Sequence, residues 1–338
     1  MRYRAMHAIF MVLSVLLFAA GVSHAADNLP VIVVSTPGPG NLTYLPVDLI
    51  SRIGADRAEG ITVMVRHAGG GVALRDLTSL NADFAVAGLP AAMSLRANGG
   101  TVTAISSVSG DPLFVLMVRV GLKGSVRKVA DLRGRSIGVN TSSLASKTTS
   151  QQLAELVLRR SGVPLGEVRI VAGGQSWEAQ NAVLASGVAD AVMGDEPFAS
   201  RLQAENKVFF LLNLADPGDR RSIPGAGFLH AALVTRDEII AKDPAKADKM
   251  VRVMKRTLAW MAAASPEEIA DKAGVSDPEE RRWLVSTLKK YPRMYSSDGR
   301  FSKKQLEETM RFFRESSPEN VSLRLGEMIA DQWSGSGE

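Results

Sequence analysis

Any chemistry in this 338-residue chain is done without cysteine, because the sequence has none. That excludes disulfides, thiolate nucleophiles and cysteine metal sites. Past the first 26 residues only His67 and His230 remain as histidines. They lie far apart, and no His/Asp/Glu cluster has metal-ligand spacing. No serine sits in a nucleophile elbow, and neither a Walker A pattern nor a G-x-G-x-x-G after a strand occurs. Hydrogen-bonding chemistry is left. The run Asn140-Thr141-Ser142-Ser143-Leu144-Ala145-Ser146-Lys147-Thr148-Thr149 follows an apolar strand and enters a helix carrying Leu153, Leu156 and Val157 on one face. Thr149 and Gln152 fit a capping box. Some of these hydroxyls cap the helix; the others make a site for an anion or polar group at its N-terminus.

Two stretches position such a site. Residues 69–93 and 173–198 share one grammar: a Gly-Gly turn after a β-like run, a helix-length segment, then Ala-Asp, apolar residues and a Gly (Ala82-Asp83-Phe84 to Gly88; Ala189-Asp190-Ala191 to Gly194). Each reads as a strand–turn–helix–strand unit, whose ligands lie beyond the strands' carboxyl ends. One unit per half predicts two lobes facing each other across a cleft. Gly110-Asp111-Pro112 and Asp216-Pro217-Gly218-Asp219 read as the crossings between them.

The β-branched run 29–35 reads as a buried parallel strand. The Ser35-Thr36-Pro37 loop after it is either a ligand contact or a plain Pro/Gly connection. Residues 42–53 have helical spacing. His67 and Glu196 each read as a ligand contact or as an ordinary loop or capping residue. Tyr44 and Trp177 read as stacking partners for a ligand or as partly buried core. From residue 243 onward the pattern is helical, with Asp243-Pro244, Ser265-Pro266 and Asp277-Pro278 each giving an N-cap followed by proline.

Arg2 and Arg4, an apolar run over 8–22 and Ser23-His24-Ala25-Ala26 have the form of a cleaved secretory signal, cut after Ala25 or Ala26. With no cysteine for a lipid anchor, the expected compartment is the periplasm. The rest has the composition of a soluble globular protein, 46% hydrophobic and 22% charged. The net charge of +5 falls by two when Arg2 and Arg4 leave, which gives no case for nucleic acid as a partner.

Gly69-Gly70-Gly71 through Ala82-Asp83-Phe84 to Pro90-Ala91-Ala92, residues 131–139, Leu184-Ala185-Ser186-Gly187 through Asp190 to Glu196-Pro197, and Lys242-Asp243-Pro244 appear in one order over nearly the whole mature chain. Together they resemble the periplasmic binding proteins of ABC importers for sulfonates, nitrate and the thiamine pyrimidine precursor. The resemblance implies an α/β type II periplasmic binding fold. Lobe 1 would comprise 27–111 plus 219–338, with a helical C-terminal tail, and lobe 2 would comprise 112–218. It further implies a monomeric, cofactor-free, metal-free receptor, not an enzyme, that closes on a small organic ligand and presents it to a permease with its ATPase. A receptor docking on a sensor and a thiamine-pyrimidine enzyme of the same fold are the alternatives. The ligand-contacting positions would be Ser35, Thr36 and Pro37, Gly70 and Gly71, Gly88 and Leu89, Ser142 and Ser143, and Gln175 and Ser176, with Tyr44 and Glu196 beside them.

Two departures bear on the ligand. The loop from Asn140 to Ala145 is longer than the Gly-Ser pair this family often has, and Lys147 is the only cation in the cleft loops. Hydroxyls, one amide and aromatic faces suit an organic molecule with an apolar body and one polar or singly anionic end, such as a sulfonate or a pyrimidine. A bare inorganic anion would need more charge-assisted bonds.

Overall fold

The structure, a computed structural model, describes residues 29–320 and 322–337. The expected secretory signal lies outside the described residues. The β-branched opening run forms β1, Val31–Pro37, which pairs in parallel with β2, Thr62–Ala68, and β3, Phe84–Gly88. β4 spans Val102–Ser109. The chain then leaves this sheet and builds a second one from β5 (Phe114–Arg119), β6 (Ser136–Val139), β7 (Arg169–Ala172), β8 (Ala191–Asp195) and β9 (Val208–Asn213). It returns to the first sheet as β10, Ala231–Arg236.

The strand orders are β2-β1-β3-β10-β4 and β7-β6-β8-β5-β9. In each sheet three parallel strands meet one inserted strand that runs against them: β10 beside β3, and β5 beside β8. Each inserted strand is the first one after a crossing. The two stretches of shared grammar occupy the same place in the two sheets. β2, helix Gly70–Thr78 and β3 correspond to β7, helix Trp177–Ala185 and β8.

Parallel strands are buried on both faces, so both need apolar cover. In the first sheet Ile32, Val34, Phe84 and Val86 pack on Val47, Ile50, Met250, Met254 and Leu258. On its other face Ala85 and Ala87 meet Leu74, Leu77, Met93 and Phe313. In the second sheet Leu116, Ile137 and Val139 pack on Leu153, Leu156 and Val157. The long helix Pro244–Ala263 belongs to the first core. Helix Lys303–Ser316 touches both cores, through Phe313 and Phe312.

The helical tail starts where its sequence says. Asp243 accepts from Lys246 N, Ser265 forms a capping box with Glu268, and Asp277 accepts from Glu279 N and Glu280 N. Residues 42–53 depart from the single helix expected. They form a 3-10 turn, Leu42–Tyr44, the short helix Leu45–Leu49, and turns up to Gly54 at φ +73°. Pro46 lacks an amide hydrogen, and Asn41 Oδ1 accepts from Thr43 N at 3.0 Å, so the segment is tied into tight turns instead.

Gly225 fixes the seat of helix Lys303–Ser316. Its φ is +68°, and a β-carbon there would overlap the backbone nitrogen of Phe312 and the carbonyl oxygen of Glu308. Gly225→Ala is expected to lower unfolding stability by about 2–3 kcal/mol in chemical denaturation.

Candidate functional site

The carboxyl ends of β1, β3, β6 and β8 point into one cleft, where ligands of open α/β sheets bind. β5 and β10 run the opposite way, so their starts lie at the same mouth. Pro37, Asn41 and Tyr44 come from the end of β1 and the turn after it, Gly88 from the end of β3, and Ala91 from the helix Leu89–Ala97 that follows. Asn140 follows β6, Asp195 ends β8, and Gln175 follows β7. Thr148, Thr149 and Ser150 open helix Thr149–Arg160. Phe114 opens β5 and His230 directly precedes β10, with ring centroids 4.6 Å apart.

The space they enclose is about 30 Å³. That holds water but not an organic molecule, whose sites run from roughly 300 Å³. The lobes stand closed. Asn41 Nδ2 donates across the cleft to Asp195 Oδ2 at 3.2 Å. Gln152 Nε2 donates to Ser94 Oγ at 2.6 Å and to the Pro90 carbonyl at 3.2 Å. Glycines of the first sheet allow the approach. A β-carbon at Gly69 would overlap Ser142 Oγ, one at Gly71 would overlap Ser146, and one at Gly88 would overlap Thr149 Oγ1.

Three polar atoms lining this space are buried and have no hydrogen-bond partner: Asn140 Oδ1, Thr149 Oγ1 and Asp195 Oδ1. Asn140 Oδ1 is a pure acceptor, Asp195 Oδ1 is one when the carboxyl is ionised, and the Thr149 hydroxyl can donate or accept. Each such group costs on the order of 1–3 kcal/mol when left unpaired. Burial pushes the Asp195 carboxyl up to about 7, and the neighbouring Glu196 carboxylate adds to this, against hydrogen bonds from Asn41 and Asn140. Burial lowers His230 to about 3, which keeps it neutral. No lysine or arginine lines the cavity among the described residues. Lys147 is held by Glu155 at 2.8 Å.

The NMT1/THI5-like family description matches residues 57–269. The chain belongs to that family. Among curated proteins none matches. Solved structures with the same fold include a protein from Bordetella bronchiseptica RB50, at 20% identity and TM-score 0.79, over 90% of this chain and 95% of that one. They include the alkanesulfonate-binding protein SsuA from Xanthomonas axonopodis pv. citri bound to MOPS, at 15% identity and TM-score 0.65, over 87% and 95%. The desulfurization enzyme DSZB also matches, at 18% identity and TM-score 0.57, over 90% and 97%. The fold is the α/β type II periplasmic binding fold, which the sequence resemblance implied.

In this NMT1/THI5-like protein, the expected contacts Pro37, Tyr44, Gly88 and Gln175 line the cavity. The other expected contacts do not. Ser35 Oγ donates to Asp76 Oδ2 at 2.7 Å, and Thr36 Oγ1 donates to the Val86 carbonyl at 3.1 Å, both within the first lobe. Gly70 and Gly71 begin helix Gly70–Thr78, and Leu89 begins helix Leu89–Ala97. Ser142 is exposed against Gly69, and Ser143 Oγ accepts from Ala145 N inside its own loop. Ser176 Oγ caps its helix by accepting from Ala179 N. Both Glu196 oxygens are taken by Ser200. Trp177 lies under the Arg201 guanidinium, 3.7 Å from its ring centroid, and His67 pairs with Asp48 at 3.2 Å. Ser136, inside the string Gly134-Arg135-Ser136-Ile137-Gly138, opens β6 and donates to Asp190 Oδ2, so it is no nucleophile elbow.

Sequence reasoning did not single out Asn41, Phe114, Asn140, Thr149, Asp195 or His230 as contacts. The helix cap is Thr148, whose Oγ1 accepts from Gln151 N, one residue before the capping box expected at Thr149. That shift leaves the Thr149 hydroxyl to the cavity. Thr148→Ala is expected to cost about 1 kcal/mol of stability by denaturant titration. Thr149→Ala, which removes an unpaired buried hydroxyl, does not lower stability and weakens ligand by about 1 kcal/mol in calorimetry.

The Asp195 carboxyl also sets a pH dependence. Its folded value, about 7, lies above its ordinary 3.8, so folding takes up a proton between those values. The charged form opposes folding fully above pH 7, and that opposition fades as pH falls toward 4. Asp195→Asn is expected to raise the melting temperature at pH 8, with a gain that shrinks at pH 5. An equal gain at both values would show an unshifted carboxyl.

Proposed function

We propose that the protein is a periplasmic solute receptor that delivers a small organic ligand to an inner-membrane ABC permease. The observation that carries the ligand class is the pair of unpartnered buried acceptors, Asp195 Oδ1 and Asn140 Oδ1, in a cavity without a cation. A sulfonate there would face a carboxyl at the acidic end of the site with no Arg or Lys to meet it. A planar heterocycle bearing an amino group would donate to both acceptors, with its ring against Phe114, Tyr44 and the neutral His230. Of the two ligand ends that the sequence left open, the pyrimidine-like one therefore suits this site.

Ligand enters when the lobes part, and the lobes then close around it less far than here, where the cavity has room only for water, by hinge motion at the two crossings. The likeness to SsuA supports the receptor reading, and the expected export signal supports the periplasm. DSZB shows that the same fold also serves an enzyme. What supports binding is that, among the described residues, His230 makes ring contacts with Phe114 and Phe228 and pairs with no carboxylate, serine or threonine.

A thermal-shift comparison tests the ligand class, since a ligand bound only by the folded state raises its stability. A 4-aminopyrimidine should raise the melting temperature, and Asp195→Asn should weaken its binding at least tenfold. Alkanesulfonates, nitrate and bicarbonate should leave the melt unmoved. A shift with alkanesulfonates alone would overturn the pyrimidine-like assignment, and consumption of any ligand would overturn the receptor.

A further inference from the structure

Apart from the cleft, a groove of about 670 Å³ runs along the two crossings. Both crossings line it, Asp111 on the outward one and Arg220 to Gly227 on the return. Arg160 contributes from the end of helix Thr149–Arg160, and helix Lys303–Ser316 forms a wall through Lys304, Glu308 and Arg311. Its volume falls in the range of small-molecule sites.

The charge in this groove is one-sided. Five cations, Arg160, Arg220, Arg221, Lys304 and Arg311, face two acids, Asp111 and Glu308. Asp111 is already engaged by Arg220 at 3.2 Å. Arg160 reaches only Glu315, at 3.8 Å. Among the described residues Arg221, Lys304 and Arg311 have no ion pair.

The wall helix sharpens the imbalance. Its first turn carries Lys303 and Lys304 and no acid. Cations at a helix N-terminus sit against the positive end of its dipole, an unfavourable placement that an anion would relieve. Lys304 and Arg311 are seven residues apart, on one face and separated by roughly 10 Å along the axis. That spacing suits a ligand with two or more anionic groups, and the guanidinium groups can pair with oxyanions in bidentate fashion.

We propose that this groove binds a small multivalent oxyanion, a molecule carrying two or more phosphate or carboxylate groups. Because the groove is built from both crossings, such a ligand would bridge the segments about which the lobes move. The site is separate from the cleft and needs no cleft ligand.

Isothermal titration of the full mature chain with inorganic pyrophosphate, and separately with citrate, tests this at fixed ionic strength. The expected result is saturable one-to-one binding of at least one of the two, weakened at least tenfold in the Arg221→Glu/Arg311→Glu variant. The arm that binds tells phosphate from carboxylate. Arg221→Gln/Arg311→Gln, at the same exposed positions, serves if charge reversal disturbs folding, and it too should weaken binding. Thr149→Ala should leave it unchanged. No saturable heat with either anion, equal affinity in the Gln variant, or a heat matched by sodium chloride would overturn the proposal.

Discussion

The hydrogen bond from Asn41 to Asp195 joins the two sheets where both end. A carboxyl lies almost wholly out of water there, with one oxygen held from the opposite lobe and the other free. The arrangement requires β8 to stop at the cleft mouth and the turn after β1 to reach across to it. It also requires the lobes to come within hydrogen-bonding distance over a broad front. The glycines at 69, 71 and 88 meet that last requirement, since each receives a side chain of the second lobe where a β-carbon would sit. Burial of the carboxyl then sets its ionisation, and its ionisation shapes which ligands the closed cleft accepts.

The two Gly-Gly turns look alike in sequence and stand at equivalent places in the two sheets, yet they do different jobs. Those of the first unit leave room for the Ser142–Ser146 loop of the opposite lobe. Those of the second unit pack within their own lobe: Gly173 lies against the Val139 backbone, and Gly174, at φ +83°, lies against Ala179. This folds the chain tightly before helix Trp177–Ala185 and sets Gln175 at the cavity. A shared supersecondary unit supplies position, and the residues around it decide whether that position serves closure or contact.

Much of the architecture was legible because it is local. Apolar β-branched runs, Gly-Gly turns and Asp-Pro or Ser-Pro caps fix strands and helix starts by short-range sterics and hydrogen bonds. The site was legible in part. Pro37, Tyr44, Gly88 and Gln175 follow strand ends that the pattern reveals. Asp195 carried a signal, a carboxylate closing the apolar run Ala191-Val192-Met193-Gly194, but the next residue, Glu196, drew the attention, and it serves Ser200 instead. His230 and Phe114 carried none. They sit in apolar runs, and only the antiparallel insertion of β10 and β5 brings them to the mouth. The hydroxyl loop misled because its serines bond within the loop or face the opposite lobe, and a one-residue shift of the cap hands the cavity to Thr149.

The central claim is that a closed, cation-free cleft holds an unmodified ligand that donates hydrogen bonds to Asp195 and Asn140. Native mass spectrometry of the protein isolated from its own cells tests it most directly, followed by denaturation and identification of the small molecule set free. The account predicts one nitrogen-bearing molecule per chain, neutral or cationic, recovered unchanged after prolonged incubation. An organic sulfonate or carboxylate without N–H donors in the cleft, or a molecule converted to another during incubation, would contradict it.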